Sequence, residues 1–257
     1  MDRESWALLL SLPLLSLGYY FAIHTIWPNF TIFDLYIFAY NPSIGLPLIW
    51  FMYPLVTALI LIRIWKQRSN SNFIVRAGKR LHIFIAQASD VVVVSILSAT
   101  IAHLSLLLIG AICIGIPVNV DSSSSLFAYY TGGHTISEFS LSAALPITFA
   151  YAFLALFFSN TLFFFLYDIL KAIPAFFIMA LMAFPEVHKT HAFMHDIAST
   201  YGGDPLSVNP LSYLYETANI FYQSWIPGED HRLWFLPVIT VVVLLLAFVS
   251  QRRVEYL

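Results

Sequence analysis

Six stretches of this chain are apolar over a length that points to a bilayer. A helix rises about 1.5 Å per residue, so crossing a hydrocarbon core about 30 Å thick takes about 20 predominantly apolar residues. Such runs cover about 6–26, 46–64, 83–116, 141–158, 162–184 and 233–250. The first is too long for a signal-peptide core and lacks a small-x-small cleavage site, so it reads as a retained span. The third exceeds what a bilayer needs; its first two turns are expected to project, leaving Asp90 near the boundary. From Leu141 to Pro185 the chain is apolar for long enough to cross twice. The break is expected at Ser159-Asn160-Thr161, giving a helical hairpin. A break at Asp168 to Lys171 would leave only Ala172 to Phe184 for the next span, about 13 residues and too short.

The valine-rich stretches Val91 to Val94 and Val238 to Val243 raise the question of strands, but a transmembrane barrel would alternate apolar and polar residues, and no alternation is present. Continuous runs of helical length predict an all-α integral membrane protein, with residues 1–257 forming a single transmembrane domain. Composition agrees: 60% of the residues are hydrophobic and 10% charged, against about 25% charged in an ordinary soluble domain. A net charge of −2 leaves no basic excess for a nucleic-acid backbone. The single cysteine, Cys113, excludes an internal disulfide framework and a Cys-based zinc site.

Basic residues near span ends favour the cytoplasmic side. Arg63, Lys66, Arg68, Arg76, Lys79 and Arg80 fall between the second and third runs, Arg3 precedes the first, and Arg252 and Arg253 follow the sixth. The opposite loops, 27–45, 117–140 and 186–232, hold only Lys189 and Arg232 as basic residues. Six spans with both termini cytoplasmic follow, in the cell membrane. Snorkelling of basic side chains at helix ends would produce the same distribution without implying any function.

The chain has no G-x-x-x-x-G-K-[S/T], no G-x-S-x-G and no H-E-x-x-H, so nucleotide binding by a P-loop, serine hydrolysis and zinc proteolysis have no motif support. The segment 66–82 combines a polar linker with a short basic stretch. Phe73, Ile74 and Ala77 can form the apolar side of one or two helical turns, leaving Arg76, Lys79 and Arg80 on the other side. Such a helix would fit a groove on a soluble partner, or would equally serve as a connector lying on anionic lipid.

A six-span layout, the V-R-A-G-K-R segment ending at Arg80, a large external insertion before the sixth run and the R-R-x-E ending at Arg252 to Glu255 together resemble the permease subunit of an ABC transporter of the type-2 exporter family. The resemblance covers nearly the whole chain. It implies that Phe73 to His82, with Phe73, Ile74, Arg76, Gly78, Lys79 and Arg80, form a coupling helix to a dimeric cytosolic ATPase that carries the ATP and Mg. It implies a second permease subunit, identical or homologous, a path lined by the first, second and fifth spans, and short re-entrant or amphipathic helices in the external loop 186–232. The chain itself would then be no enzyme and hold no cofactor. Its substrate would be amphipathic, a peptide, lipid or drug, with antimicrobial-peptide export or immunity among the implied roles. The family's amphipathic entry helix is short or missing, since only Met1 to Ser5 precede the first run.

Three features stand outside that pattern. Asp168 and Lys171, three apart in the expected fifth span, would share a helical face; they read as a gate or inter-helix contact, or as side chains snorkelling at the cytoplasmic end. His188, His191 and His195, with Asp196 beside them, would share a face of a helix and suit zinc or copper, or respond to pH. They carry the competing reading of an intramembrane metal-dependent enzyme; a non-catalytic accessory protein is the third. Finally, Leu211, Leu214, Tyr215, Ala218 and Tyr222 recur at helical spacing, which suits an interfacial helix or a packed lid.

Overall fold

The computed structural model describes residues 3–26, 35, 52–68, 80–114, 141–180 and 235–253. Among them there is no strand. Helix α1 is Arg3–Ile26, α2 is Tyr53–Arg68 and α3 is Arg80–Ile109, continued by a π-helical turn at Gly110–Ile114. Helix α4 is Leu141–Leu170, α5 occupies 172–180, and α6 is Phe235–Arg253. Prolines mark the starts: Pro54, Pro174 and Pro237 all lie in first turns, where a missing N–H removes no helical hydrogen bond.

Three helices contain windows long and apolar enough to cross a membrane: Arg3–Ala22, Leu81–Ile114 and Ala152–Leu170; Pro237–Gln251 is apolar but shorter. Side-chain distribution fits that reading. Leu10, Leu14, Leu108, Ile112, Ile173 and Leu245 are more than half exposed, while Thr57, Ser95, Ser98, Asn160 and Thr161 are buried. A water-soluble bundle would place these groups the other way round. The described residues therefore form an all-helical bundle with the composition, helix length and surface of a membrane protein.

The hairpin break expected at Ser159-Asn160-Thr161 is not there. Helix α4 runs straight through the triplet, all three of whose side chains are at most 1% exposed. The interruption falls at Lys171, with φ at 69°. Its N–H still reaches the Tyr167 carbonyl at 2.9 Å, closing α4, and its carbonyl accepts from Ala175 N–H at 3.2 Å, opening α5. The left-handed residue thus plays the part usually given to a C-terminal glycine. Three polar side chains do not end a helix when each is surrounded by protein, because the backbone there keeps its own hydrogen bonds.

Pairwise contacts fix the helix directions. Glu4 pairs with Arg63, and further along both helices Ser16 and the Leu12 carbonyl meet Tyr53, so α1 and α2 are antiparallel. Thr57 meets Asn160 and Trp65 meets Tyr167, so α2 and α4 are parallel. Phe84 with Phe164, Ser95 with Asn160 and His103 with Phe149 make α3 and α4 antiparallel. Helix α4 shares its largest interfaces with α3 and α6, and Asp168 near its C-terminus meets Ser250 and Gln251 near that of α6. Such an interface with paired C-terminal ends requires α4 and α6 to be parallel.

The starts of α1 and α3 and the ends of α2, α4 and α6 consequently lie at one end of the bundle. Every Lys and Arg among the described residues belongs to that end: Arg3, Arg63, Lys66, Arg68, Arg80, Lys171, Arg252 and Arg253.

Small residues let the helices approach. Ser95, Ala99, Ala102 and Ser105 on α3 and Ala152, Ala155 and Ser159 on α4 are all buried, the composition that close packing in lipid requires. Toward the basic end the core turns aromatic. Trp65 lies parallel to Phe163 at 6.1 Å and packs on Phe164 and Tyr167 at 5.3 and 5.0 Å, and Phe84 bridges Phe164 and Phe248.

Candidate functional site

Besides the buried Ser16–Tyr53 contact between α1 and α2, two polar clusters built around α4 interrupt the apolar interior of the described residues. The deeper one joins α2, α3 and α4. Thr57 Oγ1 lies 2.6 Å from Asn160 Oδ1 and 3.0 Å from the Pro54 carbonyl, sharing its proton between them. Asn160 Nδ2 donates to Ser95 Oγ at 2.9 Å, and Ser95 in turn donates to the Val91 carbonyl at 2.7 Å. Asn160 stands eight residues from Asp168, and Ser95 eight from Gln87, which places the cluster about 12 Å from the polar layer at the basic end.

The second cluster joins α3, α4 and α6 at the basic end. Asp168 accepts from Ser250 Oγ at 3.1 Å through one carboxylate oxygen and from Gln251 Nε2 at 3.2 Å through the other. Gln251 Nε2 also donates to Gln87 Oε1 at 2.7 Å, and Gln251 is 3% exposed. Asp90 lies one turn further along α3 and is buried, so the expected boundary residue sits just inside this layer. The outer rim carries Glu4 paired with Arg63, the first largely solvated and the second partly so.

The single fifth span expected to carry both Asp168 and Lys171 is corrected by this geometry, although Lys171 stays within electrostatic reach of Asp168. Asp168 belongs to α4, and Lys171 stands beyond its last residue in a left-handed conformation with an exposed side chain. The spacing rule for residues three apart holds only while both remain helical. Of the expected coupling residues, Arg80 is the first residue of α3, while Phe73, Ile74, Arg76, Gly78 and Lys79 lie outside the described residues. So do His188, His191, His195 and the whole 186–232 loop.

Sequence reasoning missed Thr57, Ser95, Asn160, Gln87 and Gln251 as site residues. The available signal was polarity at isolated positions within hydrocarbon-length runs, which marks a candidate site by default.

The described residues define an all-helical bundle with helices of membrane-crossing length, one polar layer at its basic end and a second about 12 Å deeper. Comparison with protein families, with characterised proteins and with solved structures finds no match to the chain.

Proposed function

We propose that this chain is the membrane permease subunit of an ATP-driven exporter, acting with a separate cytosolic ATPase dimer and a second permease, identical or homologous, to move an amphipathic substrate. The observation that carries the reading is the gathering of all described Lys and Arg residues at one end of the bundle. The end of α2 and the start of α3 both lie there, so the stretch 69–79 is attached at that end at both sides. With that end cytoplasmic, as the preference of basic residues for the inner side dictates, Phe73 to His82 faces a soluble partner. Six spans with both termini inside, and ATP and Mg on the partner, complete the proposal.

Closure of the ATPase dimer would push on this connector and, through α3, on the helices packed around it. Helix α3 suits that role because it packs on α1, α2, α4 and α6. The test is co-expression with an ATPase encoded next to the chain and purification of the complex. Replacing Arg76, Lys79 and Arg80 together by alanine is expected to abolish both co-purification and substrate-stimulated hydrolysis. Retention of both at wild-type levels would dismiss this segment as the coupler.

A further inference from the structure

Hydroxyls on membrane helices ordinarily bond the carbonyl one turn back, as Ser16, Ser95, Thr100 and Ser105 do here. Ser98 and Thr161 do not, nor does Ser159, which lies two residues from Thr161 on the opposite side of α4. Ser98 and Thr161 are 0% exposed, and neither hydroxyl has a hydrogen-bond partner. A buried polar group left in this state calls for an explanation.

Helix periodicity supplies one. Thr161 is seven residues from Asp168 and so shares its face of α4; Ser98 is eleven from Gln87 and shares its face of α3. On α6, Thr240 is eleven from Gln251, and it too is buried. Gln87, Asp168 and Gln251 meet in one hydrogen-bonded cluster. Their three deeper counterparts therefore lie on the same converging faces, about 10–16 Å further from the basic end. Between the two levels stand Val91, Val94 and Ala247, at most 1% exposed.

We propose that the α3–α4–α6 interface is a closed access path for water and small cations, leading from the basic end to the middle of the membrane. Gln87, Asp168 and Gln251 plug its mouth, the valine layer is a dry constriction of the kind that gates by dewetting, and Ser98 and Thr161 acquire partners when water enters. Asp168 and the buried Asp90 set the preference for cations, because these carboxylates belong to the packed helices while the Lys and Arg positions fall toward the helix ends. This path runs within one subunit, apart from any route between two permeases, and stands whether or not an ATPase drives the chain.

Cysteine accessibility tests it on the full chain reconstituted in liposomes, in a Cys113→Ser background. Thr161→Cys and Ser98→Cys are probed with an ethylammonium methanethiosulfonate and with its sulfonatoethyl counterpart, and Ala155→Cys, buried on another face of α4, is the control. Opening the plug from either side, with Asp168→Ala or Gln87→Ala, removes one or two hydrogen bonds and is expected to raise modification of Thr161→Cys and Ser98→Cys roughly tenfold. In Gln87→Ala, which keeps the Asp168 carboxylate, the cationic reagent should react faster than the anionic one, and the control should not change in either variant. Rates at 161 and 98 that stay at the control's level in both plug variants overturn the proposal. So does an equal rise at all three positions, which is unfolding, or faster reaction with the anion in Gln87→Ala.

Discussion

Thr57 on α2 donates to the side-chain carbonyl of Asn160 on α4 at 2.6 Å, across 103 positions of sequence. Asn160 passes the link on to Ser95, so one amide holds three helices together inside the bundle. Interhelical hydrogen bonds in lipid are individually modest, averaging about 0.6 kcal/mol and reaching about 1.7. Thr57 and Ser95 each keep a backbone carbonyl as a second partner, so deleting the amide leaves neither donor stranded. Asn160→Ala should therefore cost about 1–2 kcal/mol, measured by equilibrium unfolding in mixed micelles. Asn160→Asp should cost more, since it places a carboxyl group against the Thr57 and Ser95 hydroxyls in a dry interior.

Lys171 gives a prediction of opposite sign. A side chain at φ 69° is strained by roughly 1–2 kcal/mol relative to glycine. Its exposed side chain provides little packing in return. Lys171→Gly should leave stability unchanged or raise it, and Lys171→Val, β-branched at the same angle, should lower it. The same unfolding assay separates the two, and a gain with valine would contradict the assigned corner.

These two sites show how far the sequence could be read. Apolar length gave the all-helical architecture and the approximate extents of α1, α3 and α6, because hydrocarbon thickness acts on each run alone. Charge placement gave the grouping of the basic ends for the same local reason. The position of the α4–α5 corner was not legible. Ser159, Asn160 and Thr161 resemble a loop until Thr57 and Ser95 are brought alongside, and those partners come from other helices. Lys171 is no glycine, and although Pro174 three residues on is a helix-start signal, the residues after the break are too few for a full span, so local arithmetic pointed away from it. Asp168 was legible as a residue of interest, but its partners Ser250 and Gln251 lie more than 80 positions away.

The aromatic floor of the core predicts a graded response at Trp65. Its indole is 3% exposed, stacks near Phe163, and its Nε1 has no hydrogen-bond partner. Trp65→Phe therefore loses area but no hydrogen bond, whereas Trp65→Ala opens a cavity and should cost about 3–5 kcal/mol. Thermal denaturation of the detergent-solubilised chain should rank wild type above phenylalanine and phenylalanine well above alanine.

The Glu4–Arg63 pair ties α1 to the end of α2 beside the connector. Both side chains are more than a third exposed, so solvent screens the pair. A double-mutant cycle with Glu4→Gln and Arg63→Gln should return a coupling under about 1 kcal/mol that fades with added salt. A large, salt-independent coupling would mean that the pair is desolvated.

The account turns on the basic end of the bundle facing the cytoplasm. In a Cys113→Ser background, Asn72→Cys in the connector and Lys171→Cys at the α4–α5 corner should both resist a membrane-impermeant maleimide applied to intact cells. Both should react once the cells are permeabilised. Labelling of either position in intact cells would place that end outside and remove the basis for coupling to a cytosolic ATPase.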